Sequence, residues 1–408
     1  MKKKNKKNFF YPLKENTFDN QDLEKGIDVI RSKNVTMSKK TFLFEKLFKK
    51  KIKINNATMV NSGSSANLLA VQCLINPYQE KQLKPGDEVL IPVICWSTSL
   101  WPIVQSGLKP VFVDVEFDTL NICLKDLQKK ITKKTKAIML VHVLGNCVDM
   151  DSLMKIVNKE KLILIEDTCE SLGSKYKNKY LGTFGRFSSF SFYYSHQISS
   201  VEGGMICSKS IKDLNIIQSL RSHGWSKNTI LQKQYEKQNK MLNKDFLFIN
   251  SGYNLRPTDI NAAIGISQFK KLDKFIKLRK INRNKIINSL RADVRWNEQV
   301  QFLKENKYVK PSWFGLVMTI NKKFKYKKEK IMRNMEIMGV ENRPIISGNF
   351  TRQPALKKYN LIKKNQSFPN ADLVDDLGFM IGLSYQIIPN VQLKKLKNIF
   401  FKSFLNVK

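Results

Sequence analysis

Three short stretches of the sequence carry residue types that could do chemistry. The first, Ser62-Gly63-Ser64-Ser65, is a turn of small residues between an apolar strand pattern and an apolar helix pattern. Such a turn exposes backbone N–H groups at the positive end of a helix, where a phosphate can bind without lysine or arginine. A serine that only caps the helix would explain the same residues. The turn by itself therefore leaves a phosphate site and a helix cap open.

The second stretch is an apolar strand pattern that ends in Glu166-Asp167. A carboxylate directly after a buried strand lies at the carboxyl edge of the sheet, which is where ligands bind in parallel sheets. Asp167 could there pair with a protonated ring nitrogen or with a metal ion. A helix cap or a structural ion pair would account for it equally well.

The third stretch begins with the hydroxyl of Ser191 and ends, five residues later, at His196, which is one of three histidines in the chain. An imidazole titrates near neutral pH and can act as a general base or a general acid. A lone histidine is also common on protein surfaces, so its type and position alone do not assign a role.

The elements that must position these residues alternate between strands and helices. Apolar runs predict strands at 89–95, 111–115, 137–143 and 161–165, with helical patterns between several of them. This order is typical of an α/β fold, in which helices cover both faces of a mostly parallel sheet. Long basic helical patterns begin near residues 280–290. We therefore predict a basic leader at 1–22, a large domain at 23–285 and a smaller C-terminal α/β domain at 286–408.

Composition restricts the class of partner. The formal charge of +38 over 408 residues first suggests a nucleic-acid binder, but 61 of the 72 basic residues are lysine, and arginine is the residue suited to bidentate readout. The charge also avoids the blocks 61–70, 91–100 and 191–200. We therefore expect no nucleic-acid partner. Since no apolar run reaches the roughly 20 residues that span a bilayer, we expect no membrane insertion. Six scattered cysteines without a CxxC pair favour reduced thiols in the cytoplasm and no metal site.

Taken together and in this order, the motifs resemble the fold type I pyridoxal-phosphate enzymes, in particular the DegT/DnrJ/StrS nucleotide-sugar aminotransferase superfamily. The similar segments extend from about residue 25 onward and include 61–70, 84–93, 166–173, 190–204, 252–265 and 348–354. The resemblance implies a large domain with a mixed, mostly parallel sheet flanked by helices and a smaller C-terminal α/β domain. It also implies pyridoxal 5′-phosphate (PLP) or pyridoxamine 5′-phosphate (PMP) as the cofactor.

One departure from that family concerns the reaction. Aminotransferases of the family have a cofactor-binding lysine where this chain has His196, and imidazole cannot form the same covalent link. The replacement resembles a branch of nucleotide-sugar 3-dehydratases, which remove the C3 hydroxyl of GDP- or CDP-linked 4-keto-6-deoxyhexoses on the way to 3,6-dideoxysugars of surface polysaccharides. The resemblance implies that His196 is the base and that glutamate is the amino donor. A family enzyme with another reaction type, or an inactive cofactor-binding homologue, remains an alternative.

The resemblance also assigns site residues. Backbone amides and hydroxyls would hold the phosphate, Trp96 would stack on the ring and Asp167 would bond the ring nitrogen; the full cofactor set is Gly63, Ser64, Ser65, Trp96, Asp167, Glu170, Ser191 and Asn254. Asn254 would come from the neighbouring subunit, which implies a homodimer. Arg343, Asn349 and Arg352 are candidate substrate contacts. Because the segment 226–250 has no cysteine, we expect no iron–sulfur cluster. The choice between GDP and CDP stays open.

Overall fold

The structure, a computed structural model, describes residues 9–324, 327–363 and 365–405. Its α-helices in these ranges are Asn20–Arg31 (α1), Lys39–Ile52 (α2), Gly63–Leu74 (α3), Ser97–Gln105 (α4), Leu124–Lys130 (α5), Met150–Lys159 (α6), Ile211–Arg221 (α7), Gln232–Gln238 (α8), Asp259–Arg291 (α9), Lys328–Ile337 (α10), Pro354–Lys358 (α11), Pro369–Leu377 (α12) and Asn390–Ser403 (α13). Its strands are Asn56–Val60 (β1), Glu88–Pro92 (β2), Lys109–Val113 (β3), Thr135–Val141 (β4), Ile163–Asp167 (β5), Lys175–Tyr176 (β6), Lys179–Tyr180 (β7), Phe187–Ser191 (β8), Gly204–Ser208 (β9), Val300–Phe302 (β10), Val309–Lys310 (β11), Leu316–Ile320 (β12), Asn342–Pro344 (β13) and Gly378–Ile381 (β14).

The centre of the fold is a seven-stranded sheet in the order β1-β9-β8-β5-β4-β2-β3. The pairs β3–β2, β2–β4, β4–β5 and β5–β8 are parallel, whereas β9 pairs antiparallel with both β8 and β1. Strands β1, β2, β5 and β8 therefore end at the same edge of the sheet. This mixed, mostly parallel sheet confirms the predicted fold class.

The apolar runs form these strands because helices cover both faces of the sheet. Every residue of β1, β2 and β8 is buried. Different apolar clusters fill the two faces: Val89 and Phe187 belong to the cluster on one face, whereas Leu164 and Phe190 belong to the two clusters on the other. A strand buried on both faces favours an apolar run over alternation; β2 shows such a run after Glu88, whereas the equally buried β8 contains three serines.

The C-terminal part contains a smaller antiparallel sheet in the order β10-β12-β14-β13. The 33-residue helix α9 runs from the large sheet past residue 285, the predicted boundary, to Arg291. Residues 11–15, part of the predicted leader, lie against this smaller sheet; Tyr11 is 2% exposed and forms a bridge with Val340. Strand β13 and the loops that follow it thus face the carboxyl edge of the large sheet. No helix in the described ranges is both long and apolar enough to cross a membrane.

Candidate active site

A cavity of about 400 Å³ opens between the carboxyl edge of the seven-stranded sheet and the smaller C-terminal sheet. Its walls bring together residues that lie far apart in the sequence. Eight of the candidate site residues line it: Gly63, Ser64, Trp96, Asp167, Glu170, Ser191, His196 and Arg343.

One end of the cavity is formed by the start of α3 and the end of β8. Ser62 caps α3 by accepting a hydrogen bond from the Ser65 amide (3.1 Å), which leaves the amides of Gly63 and Ser64 at the positive end of the helix. A Cβ atom on Gly63 would lie 2.6 Å from the Cβ of Ser191. The close approach requires glycine and leaves a concave surface of amides and hydroxyls that suits a phosphate.

Ser65 itself is not at the cavity wall. Its amide is bonded to Ser62, and its hydroxyl donates to Asn61 Oδ1 at 2.6 Å. Within this chain its contribution is to hold the turn, because both of its donors are already used.

Asp167, the last residue of β5, presents its carboxylate to the middle of the cavity. Oδ2 accepts hydrogen bonds from Asn67 Nδ2 and Ser99 Oγ, each at 2.7 Å, and Oδ1 accepts one from the Cys169 amide at 3.1 Å. All three donors are neutral, so none of them compensates the charge of this carboxylate, which is 5% exposed. A buried carboxylate of this kind fits a cationic ligand group such as a protonated ring nitrogen.

The tautomer of His196 follows from its contact with the backbone. Its Nδ1 lies 2.5 Å from the carbonyl oxygen of Cys169. A carbonyl only accepts, so Nδ1 must carry the proton, and Nε2 of the neutral ring keeps a lone pair. The Phe314 ring packs edge-on at 5.3 Å between centroids. His196 thus offers the cavity a fixed, basic nitrogen.

Removal from water lowers the pKa of His196 to about 4; the charges of Lys14 and Arg343 act in the same direction, whereas the Cys169 carbonyl and Asp167 oppose them. The imidazole is therefore neutral over the physiological range. It can accept a proton without first losing one.

Glu170 and Arg343 also line the cavity. Burial raises the pKa of Glu170 to about 7, although Arg343 and the Leu144 amide, which donates to Oε2 at 3.0 Å, both lower it. Arg343 packs over the Phe314 ring at 5.7 Å, and its Nε is buried without a hydrogen-bond partner among the described residues. The cavity wall thus contains a guanidinium group, which suits a carboxylate or a phosphate.

Besides Ser65, three candidate residues lie outside this cavity in the single chain. Asn254 is exposed and accepts a hydrogen bond from Arg256 at 3.1 Å. Asn349 is 2% exposed; its amide group donates to Asp372 at 2.9 Å, and its Oδ1 accepts from the Thr351 amide.

The third, Arg352, pairs with three carboxylates of α12, those of Asp372, Asp375 and Asp376, at 2.5 to 2.9 Å. The contacts of Asn349 and Arg352 are of the kind that hold loops in place.

The structure adds residues that the motifs did not single out. Asn67 and Ser99 orient Asp167, and Tyr193 and Glu202 line the cavity. Asn67 lies in the charge-free block 61–70, and Ser99 lies in the charge-free block 91–100. The lack of charge in these two blocks was the one sequence signal that could have pointed to these residues. Glu202 follows Val201, whose φ of 71° is unfavourable for a β-branched side chain.

Residues 16–397 match the DegT/DnrJ/EryC1/StrS aminotransferase family. The match covers most of the chain, and the protein belongs to this family. The chain is 35% identical over 374 residues to GDP-4-keto-6-deoxy-D-mannose 3-dehydratase of Escherichia coli O55:H7, which covers 91% of this chain and 95% of that protein.

Two solved structures of such dehydratases superpose on the whole fold. One is the E. coli GDP-4-keto-6-deoxy-D-mannose-3-dehydratase with bound hydrated PLP, with a TM-score of 0.89, 33% identity and coverage of 96% of this chain and 99% of that chain. The other is GDP-4-keto-6-deoxymannose-3-dehydratase with a trapped PLP-glutamate geminal diamine, with a TM-score of 0.87, 33% identity and coverage of 96% and 100%. The chain is thus similar in sequence and fold to sugar 3-dehydratases of the family.

Proposed function

We propose that the protein is a PMP-dependent nucleotide-sugar 3-dehydratase that removes the C3 hydroxyl of a GDP-linked 4-keto-6-deoxyhexose. The observation that carries the proposal is His196, which presents an unprotonated Nε2 to the cavity where aminotransferases of the family have a lysine. The similarity to GDP-4-keto-6-deoxy-D-mannose 3-dehydratase of E. coli supports GDP rather than CDP.

The residues present fit the cofactor on structural grounds. The concave surface at Gly63, which any side chain there would fill, would hold the phosphate together with Ser64 and Ser191. The buried carboxylate of Asp167 would hold the ring nitrogen in its protonated form. Trp96 is 56% exposed at the cavity mouth and is free to stack on the ring. The chemistry that this group supplies when bound is condensation of its amine with a ketone and acceptance of electrons into its ring.

His196 moves the proton. Nε2 would act as the base that removes a proton beside the cofactor amine, and the protonated ring would then act as the acid that donates it to the departing C3 hydroxyl. Because His196 is neutral at physiological pH, the first step needs no prior deprotonation. A positioned base of this type contributes a factor of roughly 10² to 10⁴ to the rate.

Arg343 is the group we assign to anionic substrates. Its guanidinium group lies in the cavity wall and suits the carboxylate of glutamate, which would restore the amine of the cofactor. The solved dehydratase with a PLP–glutamate adduct supports glutamate as the donor.

We further propose that the protein acts in the cytoplasm as a homodimer and that Asn254, which is exposed in one chain, completes the neighbouring subunit's phosphate site. Lacking cysteines at 226–250, the chain would work without an iron–sulfur cluster. Its product would serve the synthesis of 3,6-dideoxysugars for a surface polysaccharide.

The test is incubation of the purified protein with PMP, glutamate and a GDP-linked 4-keto-6-deoxyhexose. We expect loss of one equivalent of water and a 3-deoxy ketone by mass spectrometry, with the CDP-linked sugar turned over more slowly. An aminated sugar would instead indicate an aminotransferase, and cofactor binding without turnover would indicate an inactive homologue.

A further inference from the structure

The loop that carries His196 lies against the turn that follows β5. The Ser171 amide donates to the Thr168 carbonyl at 3.0 Å and closes this turn. The carbonyls of the two residues in its middle, Cys169 and Glu170, take no part in that bond and accept no other backbone hydrogen bond in the part of the chain that the structure describes. Both carbonyls are therefore open to donors from side chains.

Two successive side chains of the loop 192–203 supply those donors. His196 Nδ1 donates to the Cys169 carbonyl at 2.5 Å, and Gln197 Nε2 donates to the Glu170 carbonyl. Among the described residues, these are the two hydrogen bonds that join the loop to the turn. The contact that fixes the tautomer of His196 therefore has one neighbour of the same kind, and Gln197 makes it.

Gln197 is 1% exposed and is not part of the cavity wall. Its Nε2 also lies 3.3 Å from the Ser312 carbonyl oxygen, while its Oε1 is buried without a hydrogen-bond partner among the described residues. Because carbonyl oxygens only accept, the amide must direct its NH2 group at them. Gln197 thus acts as a donor, and it joins the turn to the segment before Phe314, whose ring packs on His196 at 5.3 Å.

We propose that Gln197 is a positioning residue for His196: its amide holds the loop to the turn, so that the Cys169 carbonyl stays within reach of Nδ1 and Nε2 stays the unprotonated nitrogen. Either nitrogen of a neutral imidazole can carry the proton. Without the Gln197 donor, the bond of the ring itself would be the one hydrogen bond left between loop and turn, and the ring could rotate away from the carbonyl. The proposal rests on the function proposed above, in which His196 is the base.

Other hydrogen bonds of the loop run to other elements and do not replace that of Gln197. The Tyr385 hydroxyl donates to the His196 carbonyl at 3.1 Å, and Asn261 of α9 donates to the Ser200 carbonyl at 2.7 Å. These contacts hold the backbone of the loop, so loss of the Gln197 donor should leave the fold intact. What it should change is the orientation of the imidazole relative to the turn.

NMR of 15N-labelled histidine tests the proposal, because the shifts of the two ring nitrogens report which of them carries the proton. The chain has only three histidines, and the His196 signals would be assigned in the apoprotein by their loss in His196→Gln. At a pH where the ring is neutral, we expect the wild type to hold the proton on Nδ1 alone. Gln197→Met keeps the length of the side chain without its donor, and we expect it to show a mixture of both tautomers.

Two further variants serve as rescue and control. Gln197→His places a ring N–H as many bonds from Cα as the amide nitrogen of glutamine, and should restore the tautomer of the wild type; its own signals would be identified in the His196→Gln background. Gln79→Met is the matched control, because Gln79 is also a buried glutamine, donates to Asp213 at 2.8 Å and does not line the cavity. It should lower the unfolding temperature and leave the tautomer of His196 unchanged.

A kinetic measurement separates positioning from a purely structural role. Because Gln197 does not line the cavity, Gln197→Met should keep the KM for the sugar and the affinity for PMP. Its kcat should fall by roughly tenfold or more, which is part of the factor of about 10² to 10⁴ that a positioned base contributes, and Gln197→His should recover most of it. Gln197→Asn is one carbon too short to make the same bond; it should resemble Gln197→Met, and it tests the proposal if that variant fails to fold.

The tautomer of the wild type in Gln197→Met or Gln197→Asn, or an equal change of tautomer in Gln79→Met, would overturn the proposal. So would a fall in kcat that Gln197→His does not reverse. If the tautomer changes as expected but the wild-type protein dehydrates no sugar, the positioning role of Gln197 stands and the proposed function fails. The two outcomes are therefore distinguishable.

Discussion

Replacement of Asp167 by asparagine tests the cofactor site most sharply, because the surrounding hydrogen bonds dictate how the amide must sit. Ser189 donates to Asn67 Oδ1 at 2.6 Å, which fixes Asn67 Nδ2 as a donor toward position 167. The new carbonyl oxygen must therefore take the place of Oδ2. The new NH2 group then takes the place of Oδ1, where it faces the Cys169 amide, itself a donor.

Two effects of different size follow. Loss of the single bond from Cys169 costs about 0.5–1.5 kcal/mol of folding free energy. Loss of the carboxylate that pairs with a protonated ring nitrogen removes a charged hydrogen bond, which is worth about 1.5–3 kcal/mol. At 1.4 kcal/mol for each factor of ten, Asp167→Asn should weaken PMP binding by roughly 10- to 150-fold.

The assay is calorimetric titration of the apoprotein with PMP, accompanied by thermal unfolding. Asp114→Asn is a matched control, because Asp114 is also a buried aspartate that accepts backbone hydrogen bonds, from Val115 and from the start of α12, but it does not line the cavity. It should lower the unfolding temperature and leave the affinity for PMP unchanged. Tight PMP binding by Asp167→Asn, or equal weakening by Asp114→Asn, would refute the assignment of Asp167 to the ring nitrogen.

Three further expectations concern single residues of the cavity. Borohydride should not attach PLP covalently to the wild-type chain but should attach it to His196→Lys, which should also lose dehydration; dehydration that survives the change would mean that His196 is not the base. Gly63→Ala places a Cβ 2.6 Å from Ser191 and should weaken PMP binding through overpacking of about 1–3 kcal/mol; the same affinity as wild type would argue against the phosphate site. The pKa of Glu170 rises from 4.5 to about 7 on folding, so the folded state binds more protons between these values and the free energy of unfolding should fall as pH rises through this window. Urea titrations of Glu170→Gln should lack that part of the slope, and an unchanged slope would show that Glu170 ionises normally.

The sequence alone predicted the central sheet and the residues at its edge with good accuracy. The run before Asp167 predicts a buried strand, and β5 ends at Asp167 itself. The predicted strand at 89–95 begins one residue late and ends three residues too far, since β2 is Glu88–Pro92. Residues 93–95 are as apolar as the strand, so composition cannot mark where pairing with the neighbouring strands stops.

The candidates in the C-terminal part were harder to predict. Arg343, Asn349 and Arg352 lie within ten residues of one another, yet only Arg343 reaches the cavity. Arg352 is instead neutralised by the acidic face of α12 and Asn349 is bonded to Asp372. Proximity in the sequence says nothing about which of these side chains a distant helix will bind.

What the sequence by itself determined is the set of groups at or shortly after the ends of buried strands: the turn at Gly63, the carboxylate of Asp167 and the imidazole of His196. The local sequence pattern is enough to locate these groups, because the end of each apolar run marks where the strand reaches the edge of the sheet. Only the tertiary structure decided the tautomer and the pKa of the imidazole. The protonated nitrogen of His196 is selected by the Cys169 carbonyl, 27 residues away, and burial in the folded chain lowers the pKa of the ring. Those effects depend on distance in space and on exclusion of water, which arise only when the chain is folded.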